Sequence, residues 1–236
     1  MNRFSLLAVL FITVSAWADI SAQEAAADCA KIKVYAAEGD KFYKQKNYKK
    51  AREFYESQVG WSETCRLESE KMATAYNNVA LTYIHEGAYL KAKAWLQIMP
   101  DDKKSIFNLG LIKDKLPAAS LAAAASPSGE YWSYAGKSLW DTITINKENT
   151  KYAITFAGYY AGINALYFGP NMGEFSTLLS IENGHADYMM AEDDSHLDCV
   201  YHFSFARDSL ALTRVSGDSC GFGQNVSAEG NYIKVR

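Results

Sequence analysis

One pattern of small and large residues occurs twice in this chain with the same internal offsets. It runs through Gly39, Phe42, Tyr48, Ala51 and Tyr55, then through Ala80, Tyr83, Tyr89, Ala92 and Leu96, 41 residues on. Small residues at the first and fourth positions let two antiparallel helices approach closely, while rings and large aliphatic side chains fill the space between them. The periodicity predicts helices over residues 25–46, 48–59, 67–86 and 89–98, with Asn47 and Gly87 at the turns. Pro100 ends the fourth, and Asp101 or Asp102 caps a fifth that stops near residue 116.

The doubled pattern resembles the helix pairs of the tetratricopeptide family. The resemblance covers two pairs, with the fifth helix as a cap, and its period is longer than the usual one of about 34 residues. The excess falls in residues 60–66. The resemblance implies a curved stack that holds another protein or peptide, because in this family the first helix of each pair lines a concave groove. It thereby places Asp40, Tyr43 and Lys44 of the first pair, Asn77, Asn78 and Leu81 of the second, and Lys104 and Asn108 of the last helix in that groove. Asn can bond an extended backbone, and Tyr offers a rigid apolar face with a polar tip. The family's carboxylate-clamp version needs a basic residue and an Asn in the first repeat, where this chain has Ala36 and Asp40. Two pairs are fewer than such stacks need alone, so the second domain or a second copy of the chain, as a homodimer, has to cover the open end.

The first residues read Met1-Asn2-Arg3, then an apolar run over 4–14, then Ala16-Trp17-Ala18 before Asp19. One positive charge, a short apolar core and an Ala-x-Ala site make residues 1–18 a secretory signal peptide, and no later stretch is apolar enough to span a bilayer. Export to a periplasm or beyond also accounts for four cysteines as two disulfides rather than as a zinc site, whose spacings they lack. Four cysteines allow three pairings. Cys29 with Cys65 and Cys199 with Cys220 is the choice that keeps each bond within one structural unit. A net charge of −3, with both signs mixed along the chain, argues against a nucleic-acid partner.

Residues 117–129, rich in Pro, Ala and Ser, are read as an inter-domain linker after a helical domain over 19–116. From residue 130 to 236 the period changes to alternation. Strands are predicted over 131–137, 139–146, 151–157, 163–168, 174–182, 186–191, 197–206, 210–215 and 226–235, with Asn183-Gly184 as the clearest hairpin turn. The fold class is therefore α+β in two domains, helical hairpin repeats followed by an antiparallel β-barrel or sandwich. The stretch Cys199 to Phe205, with Leu210 to Thr213, Cys220-Gly221-Phe222-Gly223 and Gly230-Asn231-Tyr232, resembles the β-domain of exported bacterial lysozyme-inhibitor-like proteins. That resemblance implies a small barrel with a disulfide at the base of its last hairpins.

Motifs for catalysis are missing. There is no G-x-S-x-G, no Gly-rich phosphate loop and no carboxylate pair beside a nucleophile, so neither an enzyme nor a cofactor is expected. The acidic run Glu192, Asp193, Asp194, His196 and Asp198 lacks the ligand order and glycine of a calcium loop, and it is read as a solvated loop with no metal. The function expected is non-enzymatic recognition of a protein or peptide in the bacterial envelope. The alternative is an inhibitor or immunity protein that presents residues 158–162 or 169–173 to a cell-wall hydrolase or a toxin.

Overall fold

A computed structural model describes residues 20–236, and residues 1–18, expected from the sequence to be a signal peptide, lie outside the described residues. Seven helices lead into an eight-stranded antiparallel sheet that curls into a nearly closed barrel, an α+β architecture. The helices are α1 (Ala22–Ala30), α2 (Ile32–Lys44), α3 (Tyr48–Thr64), α4 (Ser69–His85), α5 (Tyr89–Leu96), α6 (Lys103–Ile112) and α7 (Leu116–Ala123). The first predicted helix is thus two, broken at Lys31, and α3 runs five residues beyond its predicted end, into residues 60–66, where the excess length of the repeat falls. Cys29 is bonded to Cys65, which ties α1 to the end of α3. Most of the predicted linker is helical, because α7 takes up Leu116–Ala123 with Pro at its start.

The doubled pattern does the packing its spacing implies. Gly39 is buried, and a Cβ there would lie 2.4 Å from the Tyr55 ring, so α2 and α3 touch through a glycine. Ala51, Ala80 and Ala92 are fully buried at the other small positions.

The strands are β1 (Gly129–Gly136), β2 (Leu139–Glu148), β3 (Lys151–Tyr160), β4 (Asn171–Leu179), β5 (His185–Met189), β6 (Val200–Phe205), β7 (Ser209–Ser216) and β8 (Gly230–Lys234). Neighbours in sequence are neighbours in the sheet, and β1 pairs with β8. The seam lies between β4 and β5, which are consecutive yet form the two edges of the sheet. The fourth of the nine predicted strands, over 163–168, is instead the short helix α8 (Ala165–Phe168) in the β3–β4 connection. Its run of apolar residues looked like a strand because a short apolar run has no period of its own.

Alternation sorts the barrel's side chains. Tyr131, Ile143, Ile145, Ile154, Phe156, Phe175, Tyr188, Tyr201, Phe203, Leu210 and Tyr232 fill the interior. Phe222, from the loop that Cys199–Cys220 pins, packs against the stacked rings of Phe156 and Phe175 at ring-centroid distances of 5.6 and 6.5 Å. With so many rings inside, this barrel is a packed core rather than a ligand cup.

Trp132, Tyr134 and Trp140 point outward, and they are covered by the helices. Trp95 of α5 meets Trp140 at 5.3 Å and Tyr134 at 6.0 Å, while Tyr76 and Tyr83 of α4 meet Tyr134 and Trp132 at 6.2 Å each. Glu63 of α3 sits in the same seam. It accepts from the Tyr76 hydroxyl at 2.8 Å, from the Tyr134 hydroxyl, and from the Lys137 backbone N–H at 2.7 Å. Lys91 reaches across to Glu130 at 2.8 Å while lying over the Trp132 ring. Helices and barrel therefore share one aromatic core and a set of polar ties.

Candidate functional site

The face of the helical layer away from this seam carries a groove. Three helices contribute stripes at helical spacing: Lys33, Ala36 and Asp40 on α2, Lys71, Thr74, Asn78 and Leu81 on α4, and Lys104, Phe107 and Leu111 on α6. Two adjacent depressions share Thr74. One, of about 320 Å³, is walled by Cys29, Ile32, Ala36 and Leu67 with Lys33 and Lys71 at its rim. The other, of about 350 Å³, is lined by Asn78, Leu81 and Phe107 with Lys103 and Lys104 at its rim.

The eight groove residues expected from the sequence divide between two places. Asn77, Asn78, Leu81, Lys104 and Asn108 line the second depression. Within it, Asn77 and Asn108 are only 3% and 5% exposed and serve the helix packing. Asn108 Nδ2 donates to Asn77 Oδ1 at 2.7 Å, and Asn77 Nδ2 donates to Ser105 Oγ at 3.0 Å and to the Ala73 carbonyl at 2.8 Å. Such a satisfied buried network holds α4 against α6 and has little left for a ligand. Asn78 Nδ2 donates to Gln58 Oε1 at 3.2 Å, and Lys104 Nζ donates to Thr74 Oγ1 at 2.7 Å.

Tyr43 and Lys44 lie away from that depression. Tyr43 packs its ring edge-on against Tyr48 and His85 at 5.5 and 5.3 Å, and burial raises its hydroxyl pKa, with Tyr48 adding to the rise. It is a packing residue at the turn between α2 and α3. Lys44 is exposed at the end of α2, where it shares a shallow depression with Asp40 and Lys41.

Sequence reasoning missed the depression beside the disulfide. Ala36 and Lys33 lie on the Asp40 stripe one and two turns earlier, a signal that was available. Of the two α3 residues that line it, Gln58 lies within the predicted helix, while Ser62 belongs to the extra length that no spacing announced. Ser62 is 1% exposed, and its Oγ has no hydrogen-bond partner among the described residues.

A second exposed feature sits on the barrel. The two segments expected as candidate loops are the end of β3 and the start of β4, and the connection between them projects Ile163 and Phe168, 77% and 66% exposed. Its base is fixed. Lys137 Nζ donates to the Gly162 carbonyl, Tyr167 meets Trp61 edge-on at 5.3 Å, and Leu166 packs over Gly60. Lys137 has its pKa lowered by burial, partly offset by Glu63.

Two carboxyls have perturbed acidity. Burial pushes Glu56 up to about 7, with Arg52 opposing it, and burial pushes Asp141 up to about 6 against the Tyr159 N–H that it accepts at 2.7 Å. Neither is placed beside a nucleophile in the groove. His202 and Val200 share the outer face of β6 and Tyr201 and Phe203 the inner, as alternation required. His202 Nδ1 lies 2.6 Å from Asp187 on β5.

No protein-family model matches the chain, and neither a curated protein nor a solved structure matches it.

Proposed function

We propose that this chain is an exported, disulfide-bonded, non-enzymatic binding protein of the bacterial envelope, which holds a protein or peptide segment along the groove of its helical layer. The observation that carries the reading is the groove itself: two adjoining depressions on the α2, α4 and α6 stripes, each lined by apolar side chains together with amides, hydroxyls and lysines. Extended peptides bind in such grooves by burying alternate side chains while amides and lysines meet their backbone and charges. The helix pairs pack through small residues as tetratricopeptide pairs do, which supports the same reading. Two disulfides suit an oxidising compartment, and among the described residues no helix is long and apolar enough to cross a membrane.

A second reading has its own observation. Ile163 and Phe168 stand out from a base clamped to α3, the form of an inhibitor or immunity protein that inserts a rigid apolar tip into the cleft of a lysozyme-like hydrolase or a toxin. The resemblance of the barrel to lysozyme-inhibitor-like domains points the same way.

Affinity capture from native envelope extract separates the two. The groove reading expects partners that are lost on Leu81→Asp and retained on Ile163→Ser with Phe168→Ser. One hydrolase or toxin captured at equal molar ratio, and lost only with the loop variant, overturns it in favour of the inhibitor.

A further inference from the structure

The two disulfides sit in different surroundings. Cys199 is fully buried in the barrel core, while its partner Cys220 borders a depression at the end of the barrel. Cys29 and Cys65 are both half-buried, and Cys29 lines the depression of about 320 Å³ on the helical layer. Access to one cysteine is therefore common to both bonds, and the second cysteine tells them apart. In thiol–disulfide exchange a thiolate attacks one sulfur and expels the other as a thiolate. Attack at Cys220 has to expel Cys199 into an apolar core, where burial disfavours the charge. The bond between Cys29 and Cys65 has no such sealed member.

The helix that this bond holds has few other ties. α1 buries no residue, and its side-chain hydrogen bonds, Ser21 with Glu24 and Lys31 with Asp28, close on its own ends. The Tyr167 hydroxyl of α8 approaches Asp28 but is left without a hydrogen-bond partner. From Ile32 onward the chain is anchored again, because Ile32 and Gly39 of α2 are buried. The break at Lys31 thus separates a packed helix from one fixed by a covalent bond. Nine residues with no buried face do not persist as a helix alone.

We infer that Cys29–Cys65 is a thiol–disulfide exchange site open to a dithiol reductant, and that its reduction releases α1 while Cys199–Cys220 keeps the barrel closed. One thiolate of the dithiol attacks Sγ of Cys29 or Cys65, the S–S bond breaks, and a mixed disulfide forms as the expelled thiolate takes up a proton. The second thiol of the reductant then displaces the remaining cysteine from the mixed disulfide. Two electrons and two protons pass to the chain, and the dithiol leaves as its own disulfide. Release carries Cys29 and Ala30 away from the wall of the depression, so the redox state of one bond sets the shape of that face. The inference concerns the bond and α1 alone, and it stands whatever the groove holds.

Stepwise reduction of the intact, oxidised chain in native buffer tests this, with dithiothreitol as the dithiol, alkylation as the quench and peptide mass spectrometry as the readout. Cys29 and Cys65 are expected to be alkylated about tenfold or more faster than Cys199 and Cys220. In the chain with only the first bond reduced, hydrogen exchange across Ala22–Ala30 is expected to rise to the rate of free chain, while α4 and β6 stay protected. Glutathione disulfide is expected to restore the bond and the protection together. Equal rates at the two bonds, or earlier alkylation of Cys199 and Cys220, overturn the exchange site. Alkylation of Cys29 and Cys65 with Ala22–Ala30 still protected overturns the release of α1 and assigns its position to other contacts. Reaction of all four cysteines in one step, with loss of near-UV circular dichroism, overturns both parts, because global unfolding then carries the reduction.

Discussion

At position 39 an added methyl group would meet the Tyr55 ring at 2.4 Å, and that ring has nowhere to go. Tyr55 is 3% exposed, with its hydroxyl donating to Asp40 at 2.8 Å. Glycine in mid-helix ordinarily costs up to about 1 kcal/mol relative to alanine, so propensity alone would make Gly39→Ala stabilising. The close approach of α2 and α3 reverses the sign. Overpacking of this kind costs about 1–3 kcal/mol, and urea denaturation of Gly39→Ala is expected to show a loss of that order. Glu56 makes a prediction of a different kind. Its carboxyl titrates near 7 in the fold because burial disfavours its charge, against an ordinary value of 4.5. Between those two pH values the folded chain keeps a proton that the unfolded chain has released. Stability from this group is therefore fully present below about 4.5 and is lost as pH rises through about 7. Asp141, raised to about 6, acts with the same sign. Melting curves are expected to show a higher midpoint at pH 5 than at pH 8, with a smaller difference in Glu56→Gln. An unchanged slope in that variant would assign the dependence elsewhere.

Among the elements, the Cys29–Cys65 bond makes α1 part of the helical layer. α1 has no buried residue of its own, and its start is closed by a capping box between Ser21 and Glu24. A helix of nine residues without a buried face is unstable alone, so its position depends on the bond. Removing a bond that closes a loop of 36 residues is expected to cost about 2–5 kcal/mol. Cys29→Ala with Cys65→Ala should also raise hydrogen exchange across Ala22–Ala30 to the rate of free chain, while α4 stays protected. The elements also show which parts of the fold the sequence encodes openly. Helix pairs and hairpins were legible because their signals are local: small residues at fixed offsets, Asn183-Gly184 at a turn, alternation along β6. The break at Lys31 and the extension of α3 to Thr64 were not, since neither is marked by a Gly, a Pro or a change of period at that point. α8 was missed for a related reason, its four residues owing their helix to packing of Leu166 and Tyr167 on α3. The groove was half legible. The stripe on α4 is read from spacing, but the roles of Asn77 and Asn108 depend on how closely α6 packs, which no local pattern states.

On the scale of the whole molecule, two local architectures behave as one body. The repeat reading left an open end on a stack of two pairs and asked what covers it. Part of the answer is internal, since α4 and α5 lay their apolar faces on the outer wall of β1, β2 and β8. There Trp95, Tyr76 and Tyr83 meet Trp132, Tyr134 and Trp140. β1 carries rings on both of its faces, and the barrel interior can use only one of them. Tyr131 goes inward, while Trp132 and Tyr134 require a second layer. Trp95→Ala removes the ring at the centre of this seam, a change that typically costs about 3–5 kcal/mol in a packed core. Because the seam belongs to both parts, calorimetry is expected to show one transition in the parent chain and one, at lower temperature, in the variant. Glu63→Ala gives the polar counterpart, because it leaves the buried Tyr76 and Tyr134 hydroxyls without their shared acceptor. If the two parts were independent modules, either substitution would split the melt into a shifted helical step and an unshifted barrel step. A single step that moves as a whole would mean that the groove and the barrel loop are held at a fixed separation, so that one partner can engage both.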